Sequence, residues 1–166
     1  MFNNGIETSR APNRRKVEER TAGGGKGMDQ MRGEVQAEPD RAMRGVTFSE
    51  KRGRFEVYAR AESMGEDVLV VLWGGVAHIG AIGMAQPRPS LRDSSVKSAT
   101  SSVFTFLGHK EDVPVKAVSE ALAARLNKKV VVVAGIHWDN ALPEEIGMIS
   151  EACEALVERI ASKLSS

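Results

Sequence analysis

The amino-acid sequence predicts one α+β domain, in which helices pack on a layer of β-strands. Two features of the sequence predict this class. From Val46 to Leu107 the apolar residues alternate with polar ones or form short continuous runs, as they do in strands. Beyond Leu107, two longer segments repeat apolar residues every three or four positions, as helices do. Strands followed by helices indicate an α+β fold (α/β layered) rather than regular βαβ winding.

Three strands are predicted in the first part of the domain. Residues 46–48 indicate a short first strand. Between Phe55 and Glu62 apolar residues alternate with polar ones, which is typical of a half-buried strand. Residues 68–73 are continuously apolar, so we expect a central strand that is covered on both faces.

Two further strands are predicted on either side of a polar loop. The segment from His78 to Ala85 predicts a strand that forms a hairpin with the strand before it and ends before Pro87. Residues 88–101 are polar and predict a loop. Residues 103–107 predict a buried strand, which Gly108 ends.

A helix, a strand and a second helix complete the domain. Asp112 is the predicted N-cap of a helix over residues 112–127, with Pro114 in its first turn. Residues 130–134 predict a second central strand, and residues 143–164 predict the last helix. Two central strands need cover on both faces, which requires helices on opposite sides or a second subunit. We therefore expect a homo-oligomer.

Residues 1–44 are predicted to lie outside the domain, which we place at residues 45–166. This segment mixes charged residues with glycine and shows no apolar period, so it cannot bury enough surface to offset the entropy of ordering. We expect a disordered N-terminal tail or an overextended gene start. Met28, Met31 and Met43 are later positions at which translation could begin.

Composition argues against several classes of protein. Lys and Arg number 23 against 22 for Asp and Glu, so nothing favours nucleic-acid binding. No apolar run has the length of a membrane span or of a secretory signal, so we expect a cytoplasmic protein without membrane association. Cys153 is the only cysteine, and its apolar neighbours at helical spacing indicate a core residue rather than a reactive thiol.

All three histidines follow glycines that end predicted strands. They are His78 in Gly74-Gly75-Val-Ala-His78-Ile-Gly80, His109 directly after Gly108, and His137 two residues after Gly135. Loops at strand ends often carry ligand-binding groups, and the three histidines converge if these ends lie at one edge of the sheet. In the alternative interpretation the histidines only hold loops through hydrogen bonds, and the glycines only permit turns with positive φ.

Two binding sites are compatible with these residues. Three imidazoles could hold a zinc-type ion with an open fourth position, as in a small metal-dependent hydrolase, although no His-x-x-x-His or Cys-x-x-Cys spacing occurs. Alternatively, glycine-exposed backbone amides, His78, His109 and Lys110 could bind an anionic group, helped by the N-terminus of the helix over 112–127. The second interpretation uses more of the residues present, so we expect an anion site rather than a metal site.

The order of these motifs resembles the prenylated flavin chaperone (LpdD-like) family, the small D subunits associated with gallate-type hydroxyarene decarboxylases. The resemblance covers about residues 54–160, and Leu142 departs from it because a capping hydroxyl is expected there. It implies a mainly antiparallel sheet of about five or six strands with helices packed on it, similar to proteasome assembly chaperones.

The resemblance also implies a function. The protein would be a non-catalytic accessory protein that binds or delivers prenylated FMN, or FMN in transit, to a UbiD-type non-oxidative decarboxylase. Its partners would be the catalytic subunit of that decarboxylase and a flavin prenyltransferase. The residues implied to bind the cofactor are Gly74, Gly75, His78, Gly80, His109, Lys110, Gly135 and His137.

Overall fold

A computed structural model describes residues 43–165 as one six-stranded sheet with two helices. The elements are β1 (Met43–Arg52), β2 (Phe55–Met64), β3 (Asp67–Gly75), β4 (Ala81–Pro89), β5 (Lys97–Thr105), α1 (Asp112–Leu126), β6 (Val130–His137) and α2 (Pro143–Leu164). The strand order is β1-β2-β3-β6-β4-β5, in which β3 and β6 are parallel and the other neighbours antiparallel. This confirms the predicted α+β class and the mainly antiparallel sheet.

The order of the central strands corrects one prediction. β4 is not the hairpin partner of β3, because β6 lies between them and pairs with both. Residues 76–80 instead carry the chain past the end of β6 to the start of β4. β4 also continues beyond Pro87 to Pro89, where it pairs only with β5. Proline is tolerated there because one side of the strand has no β6 partner that needs its missing N–H.

The two outer strands are longer than predicted. β1 pairs with β2 along its whole length from Met43 to Arg52, and β5 begins at Lys97, inside the predicted loop. Both are edge strands with many polar side chains, so the apolar signal that marks central strands is weak in them. The prediction of a buried strand over residues 103–107 is wrong, because β5 ends at Thr105 and its Val103 and Phe104 are exposed. The predicted tail over residues 1–44 lies outside the described residues, apart from the first two positions of β1.

Both helices pack against the same face of the sheet. α1 contacts β4, β5 and β6, α2 contacts β1 and β2, and the helices contact each other. Alternate strand residues point into this core; they include Val57, Ala59, Ala61, Val68, Val70, Leu72, Val130, Val132 and Ala134. Of the two predicted ways to cover the central strands, helices on opposite faces are therefore ruled out within residues 43–165. Cover by a second subunit stays a prediction.

The opposite face of the sheet, which we call the open face, carries apolar side chains without a helix over them. By strand alternation it includes Leu69, Val71, Trp73, Ile82, Met84, Phe104, Val131 and Val133. Met84 and Phe104 are more than half exposed. Trp73 stacks on Tyr58 from β2, with ring centroids 5.5 Å apart.

Helix α2 places Cys153 in the core. The residue is buried, and burial raises the pKa of its thiol to about 12, so the thiolate does not form near neutral pH. The interpretation of Cys153 as a core residue is confirmed. Neither helix within residues 43–165 is long and apolar enough to cross a membrane.

Several strand ends meet at one edge of the sheet. The last residues of the parallel strands β3 and β6, Gly75 and His137, are paired, and the first residue of β4 pairs with the last residue of β5. The loops that follow β3, β5 and β6 therefore start side by side. We call residues 76–80, 106–111 and 138–142 the site loops.

Candidate functional site

The loop after β3 lies directly on the end of β6. The N–H of Val76 donates to the carbonyl oxygen of His137 at 2.9 Å, and the N–H of Gly80 donates to that of Ala134 at 2.8 Å. A Cβ on Gly135 would lie 1.8 Å from a backbone carbonyl oxygen of this loop. Only glycine at position 135 therefore permits the close approach that fixes the loop.

Glu111 is a buried carboxylate at the centre of the site loops. It is the N-cap residue of α1, one position before the predicted Asp112, and its side chain makes no cap hydrogen bond. Its Oε2 instead accepts from the N–H of Lys110 at 3.0 Å, and its Oε1 accepts from the N–H of Ile136 at 3.3 Å. A Cβ on Gly80 would lie 2.4 Å from Oε2, so glycine makes room for the carboxylate.

Two histidines contact this carboxylate. His78 Nε2 lies 3.0 Å from Oε1 of Glu111 and 3.0 Å from Nδ1 of His109. His109 Nδ1 lies 3.6 Å from the other carboxylate oxygen. One ligand atom from each of the three residues lies within 4.8 Å of the others. We call His78, His109 and Glu111 the site cluster.

The second ring nitrogen of His78 fixes its tautomer. Nδ1 lies 2.9 Å from the carbonyl oxygen of Val76, which only accepts, so Nδ1 carries a hydrogen and donates it. In a neutral imidazole the Nε2 atom then has a lone pair and no hydrogen. Oε1 of Glu111 and Nδ1 of His109 both lie 3.0 Å from this nitrogen.

The other predicted site residues lie around the cluster. The ring of His137 is 6.2 Å from that of His78 between centroids, but its Nε2 lies 3.1 Å from Oδ1 of Asp139, and its ligand atoms are not in the cluster. The structure thus brings two of the three histidines together with a carboxylate. Lys110 is exposed to solvent, and its backbone N–H is bonded to Glu111.

The predicted glycines have a steric role in the site. At Gly74 a Cβ would lie 2.4 Å from the ring of Trp138, and at Gly75 it would lie 2.0 Å from the carbonyl oxygen of His137. Gly75 also has a φ of +64°, which favours glycine. Protein atoms therefore fill the space beside Gly74, Gly75, Gly80 and Gly135.

Glu111 was missed as a functional candidate. It stands in the segment Gly108-His109-Lys110-Glu111-Asp112, so its closeness to His109 in the sequence was a signal. Burial of the carboxylate could not be foreseen, because Glu is rarely buried unless tertiary contacts pair it, and its partners Ile136 and His78 are 25 and 33 residues away.

Exposed apolar side chains lie on the same loops as the polar cluster. On the site loops they are Val76, Ile79, Phe106, Leu107 and Leu142. Phe106 packs edge-to-face against Phe104, with centroids 5.1 Å apart, and its N–H donates to the carbonyl oxygen of Gly80. Trp138 is different, because it packs on the buried ring of Phe55. We call these five exposed side chains the apolar rim of the site, and the site cluster its polar centre.

Comparisons with known proteins identify one family. A family model described as the prenylated flavin chaperone LpdD-like domain matches residues 51–165. No curated protein matches the chain. A similar solved structure comes from a chaperone complex for yeast 20S proteasome assembly; it is 11% identical, with a TM-score of 0.46, and the alignment covers 74% of this chain and 98% of that one.

Proposed function

The chain belongs to the prenylated flavin chaperone LpdD-like family, and from this premise we propose that it is a non-catalytic accessory protein for prenylated FMN. It binds the cofactor at the site loops and delivers it to a UbiD-type decarboxylase. A flavin prenyltransferase, the enzyme class that makes the cofactor, is the proposed donor. Family membership does not favour the alternative, a small metal-dependent hydrolase.

One observation supports the proposed location of the binding site. The polar side chains of His109 and Lys110 lie on the same site loops as the exposed apolar side chains of Val76, Ile79 and Phe106. An FMN derivative combines a flat apolar ring system with a phosphate, so it needs both kinds of surface within one ligand's length. In this proposal the ring system lies on the apolar rim and the phosphate faces the polar centre.

The open face supports the predicted homo-oligomer. Leu69, Val71 and Trp73 of β3 and their neighbours on β6 are partly exposed along the middle of the sheet. A continuous apolar sheet face in water is unfavourable and typically marks an interaction surface. We propose that a second copy of the chain covers it, which leaves the site loops at the sheet edge free for the cofactor.

Flavin titration tests the proposed function. We expect the full-length protein to quench FMN and prenylated FMN fluorescence saturably, and to bind riboflavin more weakly because riboflavin lacks the phosphate. The loaded protein should then activate an apo form of a UbiD-type decarboxylase faster than the same concentration of free cofactor does. Equal affinity for riboflavin and FMN would contradict the role of the phosphate, and equal activation rates would contradict delivery.

A further inference from the structure

We propose that His78, His109 and Glu111 bind one divalent transition-metal ion, and that the open coordination positions of this ion take an oxygen of the flavin phosphate. The metal site rests on the geometry of the cluster alone. Its phosphate ligand rests on the function proposed above.

A positive charge would stabilise the contact between His78 and Glu111. Because Nδ1 of His78 donates to Val76, its Nε2 has no hydrogen in the neutral ring, yet it lies 3.0 Å from a carboxylate oxygen. Two acceptors at this distance repel each other unless a cation lies between or beside them. Either a proton on Nε2 or a metal ion would satisfy both.

The position of His109 favours a metal ion over a proton. Its Nδ1 lies 3.0 Å from the same Nε2 atom and 3.6 Å from Oε2 of Glu111, whereas His78 contacts Oε1, so one ligand atom from each of the three residues lies within 4.8 Å of the others. Metal–ligand bonds of about 2.1 Å place neighbouring ligand atoms about 3.0 Å apart in an octahedron and about 3.4 Å apart in a tetrahedron. The separations in the cluster fall within this range or close to it.

Neighbouring groups hold the ligands as they do in metal sites. The carbonyl oxygen of Val76 orients His78 through its distal nitrogen, and two backbone N–H groups orient Glu111. Such outer contacts are usual for histidine and carboxylate ligands. Two imidazoles and one carboxylate suit Zn²⁺, Mn²⁺, Fe²⁺ or Co²⁺ rather than Ca²⁺ or Mg²⁺, which prefer oxygen ligands.

The ion would be reachable from solvent. The side chain of Glu111 is buried, whereas those of His78 and His109 are 22% and 35% exposed. Three protein ligands on the inner side leave coordination positions open on the outer side. The exposed apolar side chains of the rim lie on the same site loops.

A bound cation also removes an obstacle to phosphate binding. The N–H groups of Lys110 and Ile136 already donate to Glu111, so the anion that they hold is the protein's own carboxylate. Without a cation this buried negative charge repels a phosphate. A divalent ion reverses the sign of the local charge and offers the phosphate a direct ligand position.

Metal titration of the full-length protein tests the site. After chelator treatment, we expect Co²⁺ to bind with a stoichiometry of one ion per chain and to produce visible absorption bands. His109→Ala and Glu111→Gln should weaken Co²⁺ binding at least tenfold. His137→Ala is the matched control, because His137 is at the same sheet edge but outside the cluster, and it should bind Co²⁺ like the wild type. Circular dichroism checks folding. Because the side chain of His109 is partly exposed, we expect the His109→Ala variant to fold.

The outcomes separate the metal site from the proposed function. Absence of saturable Co²⁺ binding, or equal losses in His137→Ala and His109→Ala, would overturn the metal site. Metal binding without any FMN binding would support the metal site and contradict the flavin function. Equal FMN affinity with and without metal would contradict the proposal that the phosphate binds the metal ion. FMN binding that is at least tenfold tighter with metal, together with unchanged riboflavin binding, would support it.

Discussion

His78 and Glu111 are 33 residues apart in the sequence, and their side chains meet at 3.0 Å between two of the site loops. The carboxylate is buried and the imidazole is partly exposed, so the pair links the interior of the site to its surface. Lys110 lies beside this pair and projects into solvent. It is therefore the basic side chain of the site that is placed to reach a ligand without rearranging the cluster.

Replacement of Lys110 tests this role. Lys110→Ala should weaken FMN binding by about 1 to 3 kcal/mol, the range for loss of a hydrogen bond to a charged group, or about 5- to 150-fold in Kd. Riboflavin binding and metal content should not change. Lys129→Ala is the matched control, since Lys129 is also exposed but precedes β6 at the opposite end of that strand. An equal effect of both substitutions would indicate general electrostatic attraction instead of a contact.

The general position of the site could be predicted from the sequence. Gly75 ends β3, and Gly108 and Gly135 lie within three residues of the ends of β5 and β6. Of the three histidines predicted to converge there, the structure brings His78 and His109 together and leaves His137 outside the cluster. Strand order could not be predicted, because β3, β4 and β6 are all apolar and their pairing depends on contacts distant in sequence. Adjacent strands most often pair, so a β3–β4 hairpin was the natural expectation.

The glycines that shape the site should be intolerant of substitution. Gly135→Ala would place a Cβ 1.8 Å from a backbone oxygen, which a rotamer change cannot relieve, so we expect a loss of several kcal/mol in the free energy of unfolding, or failure to fold. Gly147→Ala is the control, because Gly147 lies within α2 with open space around it. There alanine should stabilise the helix by up to about 1 kcal/mol. Urea unfolding of both variants measures this, and equal effects would contradict the steric explanation.

An exposed ion pair at the start of α2 should make stability depend on acid pH. Arg54 Nε and Nη2 donate to the two carboxylate oxygens of Glu145 at 3.0 and 2.9 Å, and the N–H of Leu142 also donates to this carboxylate. These bonds lower the pKa of Glu145 to about 2 from its usual 4.5. The stabilisation is therefore fully present above pH 4.5 and is lost as the pH falls through 2.

Thermal unfolding of Glu145→Gln tests this pH dependence. Its Tm should be a few degrees below that of the wild type at pH 7, because exposed ion pairs contribute little, and the difference should vanish near pH 2. Glu144→Gln, in the same helical turn and exposed, should differ less at pH 7. A Tm difference between Glu145→Gln and the wild type that is constant from pH 7 to pH 2 would contradict the assignment.

The open face gives the last prediction, which concerns the number of copies in solution. Val71 lies on β3 in the middle of this face and is 37% exposed, so a lysine there can extend its charged end into water without disturbing the fold. In a dimer formed through the open face, however, the same lysine would be buried against the second copy without a partner for its charge, which is strongly unfavourable.

Light scattering should therefore give about twice the mass of one chain for the wild type and the mass of one chain for Val71→Lys. Val113→Lys, at an exposed position of α1 on the helical side, should stay dimeric. A monomeric wild type at all concentrations, or a dimeric Val71→Lys with unchanged circular dichroism, would show that the second copy does not cover this face.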